Sequence, residues 1–138
     1  MQLLIHPADE IPIYRQIMRQ ITEAIAVGRL KAGEKLPSHR DLSEQLVIAP
    51  LTVKKAYDEL ELLGFLETQR GRGTFVCARL PQPDPVRQME EVRDTARKLL
   101  AQAYLAGLRY PDLLQILDQA DRALSAPAIE PATEEEKV

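Results

Sequence analysis

The groups in this 138-residue chain best suited to act on another molecule are cations set beside small or hydroxyl residues. Residues 51–55 read Leu-Thr-Val-Lys-Lys, and residues 70–74 read Arg-Gly-Arg-Gly-Thr. Lys54 and Lys55 suit phosphate or guanine, Thr52 can donate or accept at a base or a phosphate, and Leu51 can offer only an apolar contact such as one to a thymine methyl. Arg70 and Arg72 lie beside Gly71 and Gly73, whose missing side chains allow close approach to a narrow groove. Arg40 stands upstream and can join the same surface. Each feature also has a plainer reading. Lysines on a helix are usually solvated, glycines are what tight turns need, and Arg40 has Glu44 four residues on as an exposed ion-pair partner.

Other chemistry has little to work with. Cys77 is the one cysteine and cannot form an internal disulfide, and it reads as a small buried hydrophobe in a strand. His6 and His39 are the only histidines; His39 reads as a surface side chain, and no spacing of ligands suggests a metal site. Gly71-Arg72-Gly73 lacks the spacing and the following helix of a dinucleotide fingerprint, and no nucleophile–base pair is recognisable. The expectation is a binding protein, not an enzyme, with no cofactor.

These residues need elements to hold them. Tyr14, Ile17, Met18, Ile21 and Ile25 recur at helical spacing, which predicts a helix over about 11–27 that ends at Gly28. A loop or short strand follows over 28–37. Ser38 precedes Asp41 by three residues, like a capping box, and opens a helix over about 38–46 with Leu42 and Leu46 on one face. Pro50 suits the first turn of a third helix, about 50–63, whose stripe is Val53, Ala56, Tyr57, Leu60 and Leu63. The few residues around Val47-Ile48-Ala49 form the short turn of a helix-turn-helix pair. Phe65 with Glu67 and Phe75 with Cys77 then suggest two strands around a hairpin at 69–73. Three helices followed by a hairpin is the order of a winged helix-turn-helix, so the fold class is mainly α with a small β-hairpin.

Pro81, Pro83 and Pro85 mark a stiff linker. Beyond it, Val86, Met89, Val92, Ala96, Leu99, Leu100 and Ala103 predict one helix up to Gly107, and Leu113, Leu117, Ala120 and Leu124 another after Pro111. Two helices bury too little alone, so Val92, Leu99, Leu113 and Leu117 are expected to meet the same segment of a second copy. The expected organisation is a DNA-binding domain over 1–80, a helical dimerisation segment over 81–125, and a disordered acidic tail over 126–138 with Glu134, Glu135 and Glu136. Net charge is −3, but residues 1–80 carry +1 and residues 81–138 carry −4. A nearly neutral domain can grip phosphates only if its cations gather on one face. No apolar run approaches the length of about 20 residues that spans a bilayer, and no signal-peptide pattern opens the chain, so a soluble, cytoplasmic protein is expected.

Read in order, Pro12 to Ile17, Gly28 to Leu42, Leu46, Thr52 to Glu61, Gly64 and Arg70 to Val76 resemble the DNA-binding domain of the GntR family across residues 11–77. The two-helix tail after residue 84 is similar to the YtrA-like subfamily, in which such a tail dimerises without a large effector-binding domain. The resemblance implies a homodimeric, sequence-specific transcription regulator of double-stranded DNA, a repressor on an inverted-repeat operator, with no small-molecule effector indicated. It places Arg40, Thr52 and Lys54 on DNA-contact positions and Gly71 to Gly73 at the wing tip. The chain departs from the pattern at the head of the third helix. Many YtrA-like members read Asn-Pro-Asn-Thr-Val there, whereas this one reads Ala49-Pro50-Leu51-Thr52-Val53. Ala49 cannot cap as asparagine does, at a cost of about 1 kcal/mol. Two rival expectations stand beside this one: the DNA-binding head of an aminotransferase-like fusion, which a chain ending at residue 138 disfavours, and a winged-helix module that binds protein, which the acidic net charge weakly favours.

Overall fold

Apolar side chains at spacings of three and four residues put Ile17, Ile21 and Ala24 on one buried face of α1 (Ile13–Ala26). The computed structural model describes residues 2–82 and 84–125. Pro12 is the N-cap of α1, and the helix closes at Val27 with its N–H on Glu23 O at 3.0 Å. α2 (His39–Leu46) starts where Ser38 Oγ accepts the Asp41 N–H at 3.0 Å, the forward half of the expected capping box. α3 (Pro50–Leu62) has Ala49 as its N-cap with no side-chain hydrogen bond, as its sequence requires. Val53, Ala56 and Leu60 are fully buried and Tyr57 nearly so, forming with Ile17, Ile21, Leu30, Leu36 and Leu42 a single core.

Leu63 departs from its expected place. α3 ends at Leu62, and Leu63 is 55 % exposed because the chain turns at once through Gly64 into the first hairpin strand. The turn between α2 and α3 also carries an unforeseen cost. Val47 sits at φ +56°, the left-handed region, where a β-branched side chain is strained, and it is 87 % exposed.

Three strands form an antiparallel sheet in the order β1 (Lys35–Leu36), β3 (Gly73–Val76), β2 (Leu66–Gln69). Leu66 faces Val76 and Gln69 faces Gly73, while Lys35 faces Phe75 and Leu36 faces Thr74. Leu36, Leu66 and Val76 are the buried side chains of the sheet. The expected alternation of β3 is therefore shifted by one residue: Phe75 and Cys77 lie on the other face and are half-buried, while Phe65, just ahead of β2, is half-buried but packs against the core. Burial, with Glu67 and Glu61 nearby, pushes the Cys77 thiol up.

Residues 2–6 are tied down by two glutamines one turn apart on α1. Gln16 is fully buried; its Oε1 accepts the His6 N–H at 2.9 Å, and its Nε2 donates to His6 O at 3.0 Å and Ile11 O at 2.9 Å. Gln20 Oε1 accepts the Leu4 N–H at 2.8 Å. Leu3 and Ile5 thereby pack on the core.

The chain divides at Pro81/Gln82 into two units. The second holds α4 (Pro85–Leu105), begun by Asp84 Oδ1 accepting the Val86 N–H at 3.1 Å, and α5 (Tyr110–Ser125). Leu108 N–H on Ala103 O and Arg109 N–H on Asp112 Oδ2 form the elbow between them. Ala103 and Leu113 are the buried residues of this pair. The four residues expected at the seam differ in exposure within one chain. Leu113 is 3 % exposed within one chain, consumed by the hairpin's own packing, whereas Val92 is 60 % and Leu117 45 % exposed and Leu99 is half-buried. No described helix is long and apolar enough to cross a membrane. The acidic tail expected over 126–138 lies outside the described residues.

The strain at Val47 is open to test. Val47→Gly removes a Cβ from a left-handed position without taking anything from the core, and should raise stability to urea by about 0.5–1 kcal/mol. A lower midpoint in equilibrium unfolding would contradict that account of the turn.

Candidate nucleic-acid interface

α3 is buried along one stripe and open along the opposite one. Leu51, Lys54 and Asp58 follow at three and four residues along the open stripe, and Leu51 is 76 % exposed. Lys54 Nζ donates to Asp58 Oδ2 at 2.8 Å, with both side chains about half exposed. That hydrogen bond and the carboxylate's charge hold the ammonium above the usual lysine range. Thr52, half-buried in the first turn, donates its N–H to Ala49 O at 3.0 Å. Lys55 turns toward α1, where its Nζ lies 4.2 Å from the centre of the Tyr14 ring. The two lysines that look equivalent in sequence thus differ in surroundings: one is held along the open stripe by a carboxylate, the other over an aromatic face.

Arg40 projects from the first turn of α2 and is exposed, and the ion pairs among the described residues leave it out, so the pairing with Glu44 does not form. Tyr57 connects this turn to α3. Its Oη donates to Pro37 O at 2.8 Å, and burial, helped by Asp41, drives the phenol pKa well up, so the group acts only as a neutral donor. Both helices of the pair are therefore held in one register by a buried contact behind the exposed residues.

The hairpin presents the other cations. Arg72 N–H donates to Gln69 O at 2.9 Å and closes a four-residue turn. Gly71, third in that turn, has φ +77° after Arg70 at negative φ, the type II pattern that favours glycine. Arg70 and Arg72 are exposed on either side of it. Gly73 opens β3 at φ +122°, and a Cβ there would lie 2.9 Å from Lys35 Cε. Lys35 is thereby placed at the base of the wing, a third cation that sequence reasoning missed. Its position follows from pairing between β1 and β3, residues far apart in the chain, and no local pattern reveals that.

What the arrangement can do is bind. An open helix face with apolar and cationic side chains stands on one side, and a glycine turn flanked by guanidinium groups extends from the sheet, both fixed to the same core.

Residues 13–76 match the family described as bacterial regulatory proteins, gntR family. The HTH-type transcriptional repressor YtrA of Bacillus subtilis (strain 168) is 38 % identical over 109 residues, 79 % of this chain and 84 % of its own. Among solved structures, YtrA from Sulfolobus acidocaldarius, a GntR-family transcription factor, superposes with a TM-score of 0.56 at 39 % identity over 72 % of this chain and 97 % of that one. A transcriptional antiterminator from Listeria monocytogenes EGD-e superposes with a TM-score of 0.75 at 26 % identity over 94 % and 98 %.

The wing makes its own prediction. Gly73→Ala should lower stability by about 1–2 kcal/mol through the left-handed backbone alone, since the lysine tip can move aside. Adding Lys35→Ala should therefore restore little of the loss in thermal melting. Full recovery in the double variant would assign the cost to the clash instead.

Proposed function

This chain belongs to the GntR family of bacterial regulatory proteins, in its YtrA-like branch, and is a transcriptional regulator; from that premise we propose that it is a repressor that binds an inverted-repeat operator as a homodimer. The observation that carries the reading is the open face of α3, with Leu51, Thr52 and Lys54 at its N-terminal half, on the same core as the Arg70–Arg72 turn. In this reading α3 enters the major groove, and Arg40 and Lys55 steady its flanks. Arg70 and Arg72 meet phosphates or the floor of the adjacent minor groove, with Gly71 and Gly73 permitting the approach. Repression then follows from occupancy. A bound dimer excludes other proteins from the same DNA.

The dimer half of the reading is supported by α4. Val86, Met89 and Val92 are all more than half exposed, and Leu117 of α5 is nearly so, an apolar surface that a lone helical hairpin leaves in water. A two-fold related copy would cover it, and its symmetry would impose an inverted repeat on the DNA.

Two measurements test this. On an operator selected from a random duplex pool, replacing Arg70 and Arg72 together by alanine should weaken binding and flatten the slope of log affinity against log salt by up to about two units per subunit. Equal slopes for both proteins would remove the hairpin from the interface, and failure to enrich any duplex would leave the protein-binding alternative. In sedimentation, Val92→Glu with Leu117→Glu should convert a dimer to a folded monomer. A double variant that still sediments as a dimer would place the seam elsewhere.

A further inference from the structure

The first residues of α3 form an apolar tip where a DNA-reading helix is expected to be polar. Ala49, Pro50 and Leu51 are consecutive, all exposed, and Leu51 keeps 76 % of its surface in water although α3 has a buried face to offer. Lys54, the next residue on the stripe, is already held by Asp58 at 2.8 Å, so the face pairs an apolar tip with an internally compensated ion pair. Such a face is a poor phosphate site. In the major groove the apolar group at a base edge is the 5-methyl of thymine, and an exposed aliphatic side chain at the entering end of the helix is its complement.

We propose that Leu51 makes this protein demand a thymine in each half-site, by packing on its 5-methyl group. The inference rests on the DNA-binding reading above and specifies what that site selects. Lys54 and Asp58 contribute by keeping the neighbouring surface close to neutral, so that discrimination at this position comes from shape and desolvation and varies little with salt.

The test uses the full chain and a duplex it selects from a random pool. Each thymine is replaced in turn by deoxyuridine, which keeps the base pair and removes only the methyl group. One position per half-site should lose about fourfold in affinity, the effect of taking one methyl group's surface out of water. Leu51→Ala should bind the thymine and deoxyuridine duplexes equally at that position, with its melting temperature unchanged because the side chain is outside the core. Wild-type protein indifferent at every thymine, or a Leu51→Ala protein that keeps the same preference, overturns the proposal while leaving DNA binding intact. If no duplex is enriched, the DNA-binding reading falls and takes this inference with it.

Discussion

Everything functional in this molecule depends on the one-sided burial of α3. Val53, Ala56 and Leu60 are removed wholly from water against α1 and α2, and each buried aliphatic side chain of Val or Leu size contributes about 1.5–3 kcal/mol. Ala56 matters for its small size: at 0 % exposure it lets neighbouring helices approach closely. Tyr57 adds direction. Its hydroxyl reaches Pro37 O across the start of α2, and a donor left unpaired there would cost about 1–3 kcal/mol, which favours a single register of the two helices. The opposite face of α3 is freed from any structural duty and can carry whatever residues its target requires.

One buried amide ties the N-terminal arm to α1. Gln16 is buried, yet both ends of its amide are satisfied by the backbone of residues 6 and 11, so the N-terminal arm closes over the core without leaving unpaired groups. The wing relies on the sheet. β1 comes from the link between α1 and α2 and pairs with β3, so the strands carrying the turn are anchored on both sides of β3 while the turn itself stays free. Nothing lies within 4 Å of a Cβ built on Gly71, which leaves room for another molecule to come against the backbone.

Charge works locally in this protein. A net charge of −3 would repel a polyanion if it were smeared over the surface. At physiological ionic strength, however, charges beyond about 8 Å are screened, so a polyanion against the wing feels Lys35, Arg70 and Arg72 more than distant carboxylates. On α3 the lysines are restrained before any partner arrives, by Asp58 and by the Tyr14 ring. A solvent-exposed pair of this kind is weak, so it sets a side chain's direction without forbidding its release.

The sequence alone determined the helices, the helix-turn-helix spacing, the presence of the hairpin and the family resemblance, because these depend on local periodicity, capping residues and turn chemistry within a few positions. Ser38, Pro50 and Gly71 mark their own places. Tertiary structure decided what depends on contacts distant in the chain. Which face of each hairpin strand is buried depends on the core beneath, and that core takes Leu66 and Val76 and leaves Phe75 and Cys77 half in water. Lys35 joins the wing only through a β-ladder, the N-terminal arm is held only because two glutamines on α1 face it, and Leu113, unlike Val92 and Leu117, is buried within a single chain. Residue spacing encodes a helix or a turn because those bonds close within four residues. It cannot encode which surface a side chain meets when the partner lies well beyond one helical turn along the chain.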